Sequence, residues 1–246
     1  MRFRMVMNST SYCPGHSGTS RNGSQAFLTE TAFGTTFKNM QRTGALRKVH
    51  YFTEVMNDRA DDLRVMLDIL RDAGADYTLI GGLAVGHHGY QRTTVDVDML
   101  VHARFLKRIA KAARDHGYVV RTFPDMIRVY PVGSDEPFSD VVSADVNPVL
   151  RAAFDEADSA IVLGHRVDVV TRGPLCALKF HAAISPTREI EDKYQDIADV
   201  GHIVKAGFTH GDEIVARRVA ALSYPGAGDD FIAFLNDLRH GRPVQI

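Results

Sequence analysis

One stretch constrains this chain more than any other: Leu79-Ile-Gly-Gly-Leu-Ala-Val-Gly-His-His-Gly-Tyr-Gln-Arg-Thr-Thr-Val-Asp-Val-Asp-Met-Leu-Val101. Residues 77–80 read as a short strand that runs into Gly81-Gly82. The small residues from Leu83 to His88 read as a short helix, and residues 95–101 as a second strand of alternating character. On a strand, Asp96 and Asp98 point to one face while Val95, Val97 and Met99 point to the other, into a core. Two adjacent carboxylates raise the cost of keeping both ionised. A bound divalent cation removes that cost, and hard oxygen ligands suit Mg²⁺. Taken alone, an Asp-Val-Asp triplet is weak evidence, because half-exposed strands produce it often. The Gly pair changes the balance: glycine lets a phosphate approach the backbone, and a helix start offers it free N–H groups. Thirteen residues separate Gly82 from Asp96, with Arg92 just ahead of the carboxylates. A metal site, a phosphate cradle and a cation are the parts that phosphoryl transfer from a nucleotide requires.

The remaining sequence supports an α/β half followed by a helical half. Leu63, Met66, Leu67 and Leu70 form an amphipathic stripe stopped by Gly74. Leu106, Ile109, Ala110 and Ala113 mark a further helix closed by Gly117. Residues 118–122, 126–132 and 138–144 are strand candidates, and residues 161–167 a hairpin around Gly164. After Pro174 the pattern is helical. Ile190, Tyr194, Ile197, Gly201 and Val204 predict one face of a long helix, and two more helices are expected at 212–221 and 229–239. With 246 residues, 45% of them hydrophobic and 24% charged, the chain suits one large or two small globular domains. The boundaries expected are 51–172 for the α/β core and 173–246 for the helical domain.

Residues 1–50 hold seven Lys and Arg against one Glu, a net charge of +6, so the rest carries −7. That arm is rich in Ser, Thr, Gly and Asn and is expected to be unstructured; Met40 and Met56 are alternative starts. No run approaches the apolar length of a membrane helix, and the start lacks a signal-peptide core. Cys13 and Cys176 make neither a disulfide framework nor a zinc site. A cytoplasmic location is expected, with no membrane partner. His87-His88 reads as packing near the Gly turn, and Cys176 as a core cysteine.

Gly81-Gly82, the gap, and Asp96-Val97-Asp98-Met99 resemble the nucleotidyltransferase superfamily related to DNA polymerase β. The wider pattern of Gly81, Gly82, Ala84, His88, Gly89, Arg92, Thr94, Asp96 and Asp98 is similar to a bacterial branch that includes AbiEii-type toxins of toxin–antitoxin pairs. The resemblance covers roughly residues 77–205. It implies a small mixed β-sheet core with flanking helices and a mostly helical C-terminal domain. It implies two Mg²⁺ ions, with Mn²⁺ as a substitute, held by Asp96 and Asp98 about 3.5–4 Å apart, and a third carboxylate on a neighbouring strand. Asp140 fits that place best; Asp145 is its rival, facing the other way by alternation. Many members carry Ser where this chain has Gly82, so that backbone contacts would have to hold the triphosphate here.

Residues 175–183 are similar to the branch's Leu-x-x-Leu-Lys helix, which makes Lys179 a candidate phosphate ligand. Read from the residues alone, Lys179 either has a buried partner or snorkels to the surface. Residues 195–200 resemble the branch's Asp-x-x-Asp segment. Asp196 and Asp199 then share a helix face that orients Lys179 or Arg188 or meets the acceptor; the alternative is a solvated face of Asp192, Lys193, Asp196 and Asp199. The nucleotide-binding set implied is Gly81, Gly82, Arg92, Thr94, Lys179, Arg188 and Asp196. The activity implied is transfer of a nucleoside monophosphate from an NTP to an acceptor, with release of pyrophosphate. A tRNA 3′ end is the first acceptor, in a toxin with a cognate antitoxin. A small molecule such as an antibiotic is the second, and a catalytically weak nucleotide- or partner-binding protein remains the other class. A tRNA acceptor would need a basic surface, for which the helical half offers Arg188, Lys193, Arg217, Arg218, Arg239 and Arg242.

Overall fold

The computed structural model describes the backbone of residues 45–244 and the side chains of residues 58–244. The expected basic arm lies outside the described residues, apart from residues 45–50, which belong to the first helix. The order is α1 (Ala45–Ala73), β1 (Tyr77–Leu79), α2 (Gly81–His87), β2 (Val97–Val101), α3 (Ala103–Asp115), β3 (Val119–Thr122), β4 (Met126–Tyr130), β5 (Ser139–Ser143), α4 (Pro148–Asp155), β6 (Ala157–Val162), β7 (His165–Val170), α5 (Arg172–Ala183), α6 (Ile190–Lys205), α7 (His210–Ala220) and α8 (Ala227–Arg239). Among the described residues, those from Lys48 onward cohere as one unit.

The strands form one seven-stranded mixed sheet in the order β3-β4-β5-β2-β1-β7-β6. Strands β2 and β5, and β1 and β7, are parallel; the other pairs are antiparallel. This mixed α/β architecture with a helical second half is the expected fold class. Alternation divides each central strand: Val97, Met99, Ile127, Val129 and Val141 are buried and share one face of the sheet, which α3 covers through Leu106, Ile109, Ala110 and Ala113. The other face carries Asp98, Arg128 and Asp140. In α1, Leu63, Met66, Ile69 and Leu70 are fully buried, each contributing about 1.5–3 kcal/mol. Gly74, at φ +57, ends that helix, in a conformation other residues rarely adopt.

Three expectations need correction. Helix α4 went unpredicted, although Asn147 caps it by accepting the Leu150 N–H at 2.9 Å and Pro148 opens it, the preferred arrangement at a helix start. Asp96 stands in a bend just before β2 rather than on the strand. In α6 the predicted apolar stripe is not the buried face: Ile190 and Tyr194 are exposed, while Asp196, Asp199, Val200 and Ile203 are buried. Helix α6 is turned because its carboxylates have cationic partners inside. No helix of the described residues is long and apolar enough to cross a membrane.

Candidate active site

The first strand delivers the chain to the site. The Ile80 N–H donates to the Asp98 carbonyl at 3.0 Å, extending the β1–β2 ladder by one residue. Gly81 then turns the chain into α2 at φ +66. A Cβ on Gly81 would sit 1.7 Å from Asp98 Oδ2, so the Asp98 carboxylate lies directly against the Gly81 backbone and no other residue fits. A Cβ on Gly82 would meet Thr94 Oγ1 at 2.4 Å and Arg92 Nη2 at 3.4 Å. The space that a serine would fill at position 82 is thus occupied by the Thr94 side chain.

The carboxylates converge as expected. Asp98 and Asp140 are partners in the parallel register of β2 and β5. One oxygen from each of Asp96, Asp98 and Asp140 lies within 4.8 Å of the others, the one such group among the described residues that could hold a metal ion. Burial and the neighbouring Asp96 push the Asp98 carboxyl up to about 7, with Asp140 adding to the rise while Lys179 and Arg188 oppose it. Burial also raises Asp140, against the pull of Arg128. Asp140 Oδ1 is buried without a hydrogen bond. Crowded anions, one of them with an oxygen met only by Arg128 Nε at 3.3 Å, fit a hard divalent cation. Asp145 stands elsewhere. It accepts the Ala103 N–H at 2.8 Å and bonds His102 and Arg151, contacts that hold its carboxyl below the usual range.

Beside the carboxylates runs a chain of alternating charge. Arg92 grips Asp199 at two points, Nε to Oδ1 at 2.8 Å and Nη2 to Oδ2 at 3.0 Å. Lys179 Nζ donates to Asp196 Oδ1 at 2.8 Å and lies 2.9 Å from Asp199 Oδ2. Arg188 Nε donates to Asp196 Oδ2 at 2.6 Å, and Gln195 adds a bond to Asp199 at 2.8 Å. Asp196 and Asp199 are 1% and 0% exposed, and Lys179 9%. Lys179 therefore does not snorkel, and Asp196 and Asp199 are not solvated. Burying such charges is costly unless each is paired and hydrogen-bonded, which this chain achieves. Burial alone would raise the Asp199 carboxyl, but Arg92 and Lys179 more than offset it and hold it low.

The structure thus brings together Gly81, Gly82, Arg92, Thr94, Asp96, Asp98 and Asp140, with Lys179, Arg188 and Asp196 alongside. Sequence reasoning missed Arg128. Its Nε lies 3.3 Å from Asp140 Oδ1, across the β4–β5 register. The signal was present: Arg128 alternates with Ile127 and Val129 on the strand candidate preceding Asp140. His88 Nε2 contacts the Val170 carbonyl at 2.8 Å, a packing role. Cys176 is buried, and burial pushes its thiol pKa up.

No known family profile matches the chain, and no curated protein matches it. Solved structures similar to it include the antibiotic-resistance factor ANT(2″)-Ia in solution, at 14% identity and a TM-score of 0.46 over 76% of this chain and 99% of that one. The same factor in complex with adenylyl-2″-tobramycin matches at 11% identity and a TM-score of 0.49, over 67% and 98%. The lincosamide antibiotic adenylyltransferase LnuA, lincomycin-bound, matches at 18% and 0.41, over 58% and 96%. At these identities and scores, the chemistry of this chain rests on its own residues.

Proposed function

We propose that the chain is a metal-dependent nucleotidyltransferase, moving a nucleoside monophosphate from an NTP to an acceptor hydroxyl with release of pyrophosphate. The observation that carries this reading is the convergence of Asp96, Asp98 and Asp140 against the Gly81 backbone. Asp96 and Asp98 would hold two Mg²⁺ or Mn²⁺ ions and Asp140 would join them at one. When bound, the ions neutralise charge on the transferring phosphoryl group. The acceptor oxygen forms its bond to the α-phosphorus as the bond to the β-phosphate oxygen breaks. The hydroxyl proton passes toward Asp140, and pyrophosphate leaves. Without side chains at 81 and 82, Asp98 and Thr94 pack directly against this turn; the backbone N–H groups opening α2 would meet the phosphates, and the Thr94 hydroxyl would stand in for a serine at position 82. Arg92 and Lys179, fixed by Asp199 and Asp196, put positive charge along the triphosphate side, and Arg188 extends it.

The acceptor expected from the resemblance, a tRNA 3′ end, was to be met by bases of the helical half. Five of those six are ion-paired: Arg188 with Asp196, Arg217 with Asp229, Arg218 with Glu156, Arg239 with Glu213 and Arg242 with Asp237. That pairing favours the second reading, a small-molecule acceptor. The experiment is incubation of the full chain with each NTP labelled at the α-phosphate, Mg²⁺, and either total tRNA or a panel of aminoglycosides and lincosamides. Label moving to one acceptor class supports the reading. Nucleotide binding without transfer to either would make the chain a binding protein instead. The toxin role is tested by inducible expression in bacteria: growth should arrest, and Asp98→Asn should relieve the arrest.

A further inference from the structure

Of the three carboxylates, Asp96 is the one that no strand holds. Asp98 lies within β2 and Asp140 within β5. Strand β2 starts one residue after Asp96, at Val97, whose N–H donates to the Phe138 carbonyl at 2.9 Å. Residues 93–96 make no backbone-to-backbone hydrogen bond among the described residues. Side chains meet their carbonyls instead. Arg92 Nη1 donates to Thr93 at 3.1 Å, Thr94 Oγ1 to Asp96 at 3.4 Å, and Arg59 Nη1 to Val95. The Thr94 contact is a long one. Its single hydroxyl proton is also shared with Asp96 Oδ1 at 3.3 Å. The Val95 side chain adds no packing, being 75% exposed.

Arg59 reaches this bend from α1. With Leu63, Met66 and Leu70 it falls at i, i+4, i+7 and i+11, so it continues the stripe that α1 buries. A charge in such a place is costly unless it is paired. The Arg59 side chain is 18% exposed, and Nη2 lies 2.9 Å from Asp62 Oδ2 on the next turn. Burial raises the Asp62 carboxyl, and Arg59 opposes that rise. One arm of the guanidinium fork is thus fixed within α1, and the other spans 36 residues of sequence to Val95.

The Val95 carbonyl belongs to the peptide that carries the Asp96 N–H and Cα. That unit is planar, so holding the carbonyl holds the direction in which the Asp96 side chain leaves the backbone. We propose that Arg59 is a positioning residue for metal binding: by capping Val95 it sets the bend that aims Asp96 at Asp98 and Asp140. The proposal rests on the reading of these aspartates as metal ligands. Arg59 itself touches neither metal nor nucleotide.

The test is titration of the full chain with Mn²⁺ alone, followed by the paramagnetic resonance signal of free Mn²⁺, at a temperature where circular dichroism shows each variant folded. Arg59→Met keeps the bulk of the stem and removes the donors. It should weaken Mn²⁺ affinity about ten- to hundredfold, the range for losing a group that orients a metal ligand. Arg59→Lys still donates to one carbonyl and should recover part of that loss. Val95→Ala leaves the carbonyl in place and should bind like wild type. Leu63→Ala, on the same face of α1, should lower the melting temperature and leave Mn²⁺ affinity unchanged.

This pattern upholds the proposal. If Arg59→Met lowers only the melting temperature, or if Leu63→Ala weakens Mn²⁺ binding as much, Arg59 is merely structural and the proposal falls while the metal site stands. Asp98→Asn separates the two readings. Mn²⁺ binding that survives Asp98→Asn unchanged is not at the three aspartates, and the metal assignment then falls together with the role of Arg59.

Discussion

Asp98 and Asp140 are direct partners across the parallel strands β2 and β5, and with Asp96 they present three carboxylate oxygens within 4.8 Å of one another. Each is expected to be needed. Asp96→Asn and Asp98→Asn keep the side-chain shape and remove an anionic ligand, so nucleotidyl transfer should fall by more than about a hundredfold, beyond what losing an outer partner of a metal site costs. Circular dichroism should be unchanged. Near wild-type turnover in either variant would remove the metal assignment.

Asp140 and Asp145 should separate cleanly. Asp140→Ala is expected to be inactive. Asp145→Ala should keep its activity and lose stability, about 1 kcal/mol for a carboxylate that satisfies a helix-start N–H, here that of Ala103. Urea denaturation and turnover, measured on both, check the pair.

The Gly81-Gly82 corner makes a steric prediction. Gly82→Ser drives its Cβ to 2.4 Å from Thr94 Oγ1 and 2.7 Å from Thr94 Cβ, so nucleotide affinity should drop. Adding Thr94→Gly clears both atoms and should restore it. A Gly82→Ser variant that binds NTP like wild type would show that Thr94 does not occupy that space.

Much of this was legible in the sequence for physical reasons. Alternation of Asp98 with Val97 and Met99 follows from the two-residue period of a strand, and the Gly pair marks a turn no side chain tolerates. The same alternation was the ground for preferring Asp140 over Asp145, which stands in the turn after β5 rather than on the strand. Helix α6 was misread because Asp196 and Asp199 look like a solvated face until Lys179 and Arg92 arrive from elements 17 and 107 residues away. Pairing across such distances leaves no local periodicity. Arg128 escaped because its meaning depends on β4 lying beside β5, a matter of sheet order.

The buried pairs predict an asymmetric loss of stability. Lys179→Met leaves Asp196 and Asp199 buried with less compensation and should cost about 3–5 kcal/mol, the range for breaking a buried ion pair from one side. Lys179→Arg should recover part of it. Equal stability of Lys179→Met and wild type would mean the chain of charges is not closed as described.

Asp98 gives a pH dependence with a defined sign. Its carboxyl is raised from 3.8 to about 7, so the folded state holds a proton that the unfolded state releases. Without divalent cation, the Asp98 contribution should make stability fall as pH rises from about 4 to about 7 and stay low above that. Mg²⁺ should recover the loss above pH 7. The difference in melting temperature between wild type and Asp98→Asn, followed across pH in EDTA and in Mg²⁺, isolates this group. A difference that is flat with pH in EDTA would contradict it.

The central claim is that one cleft holds both the metal ions and the triphosphate. The most direct measurement is a crystal structure with Mn²⁺ and a non-hydrolysable NTP, read by anomalous scattering. The account predicts Mn²⁺ peaks among Asp96, Asp98 and Asp140, with the triphosphate against Gly81 and Gly82 and its α-phosphorus facing Asp140. A triphosphate bound away from Gly81, or Mn²⁺ absent from the three aspartates at saturating concentration, would contradict it.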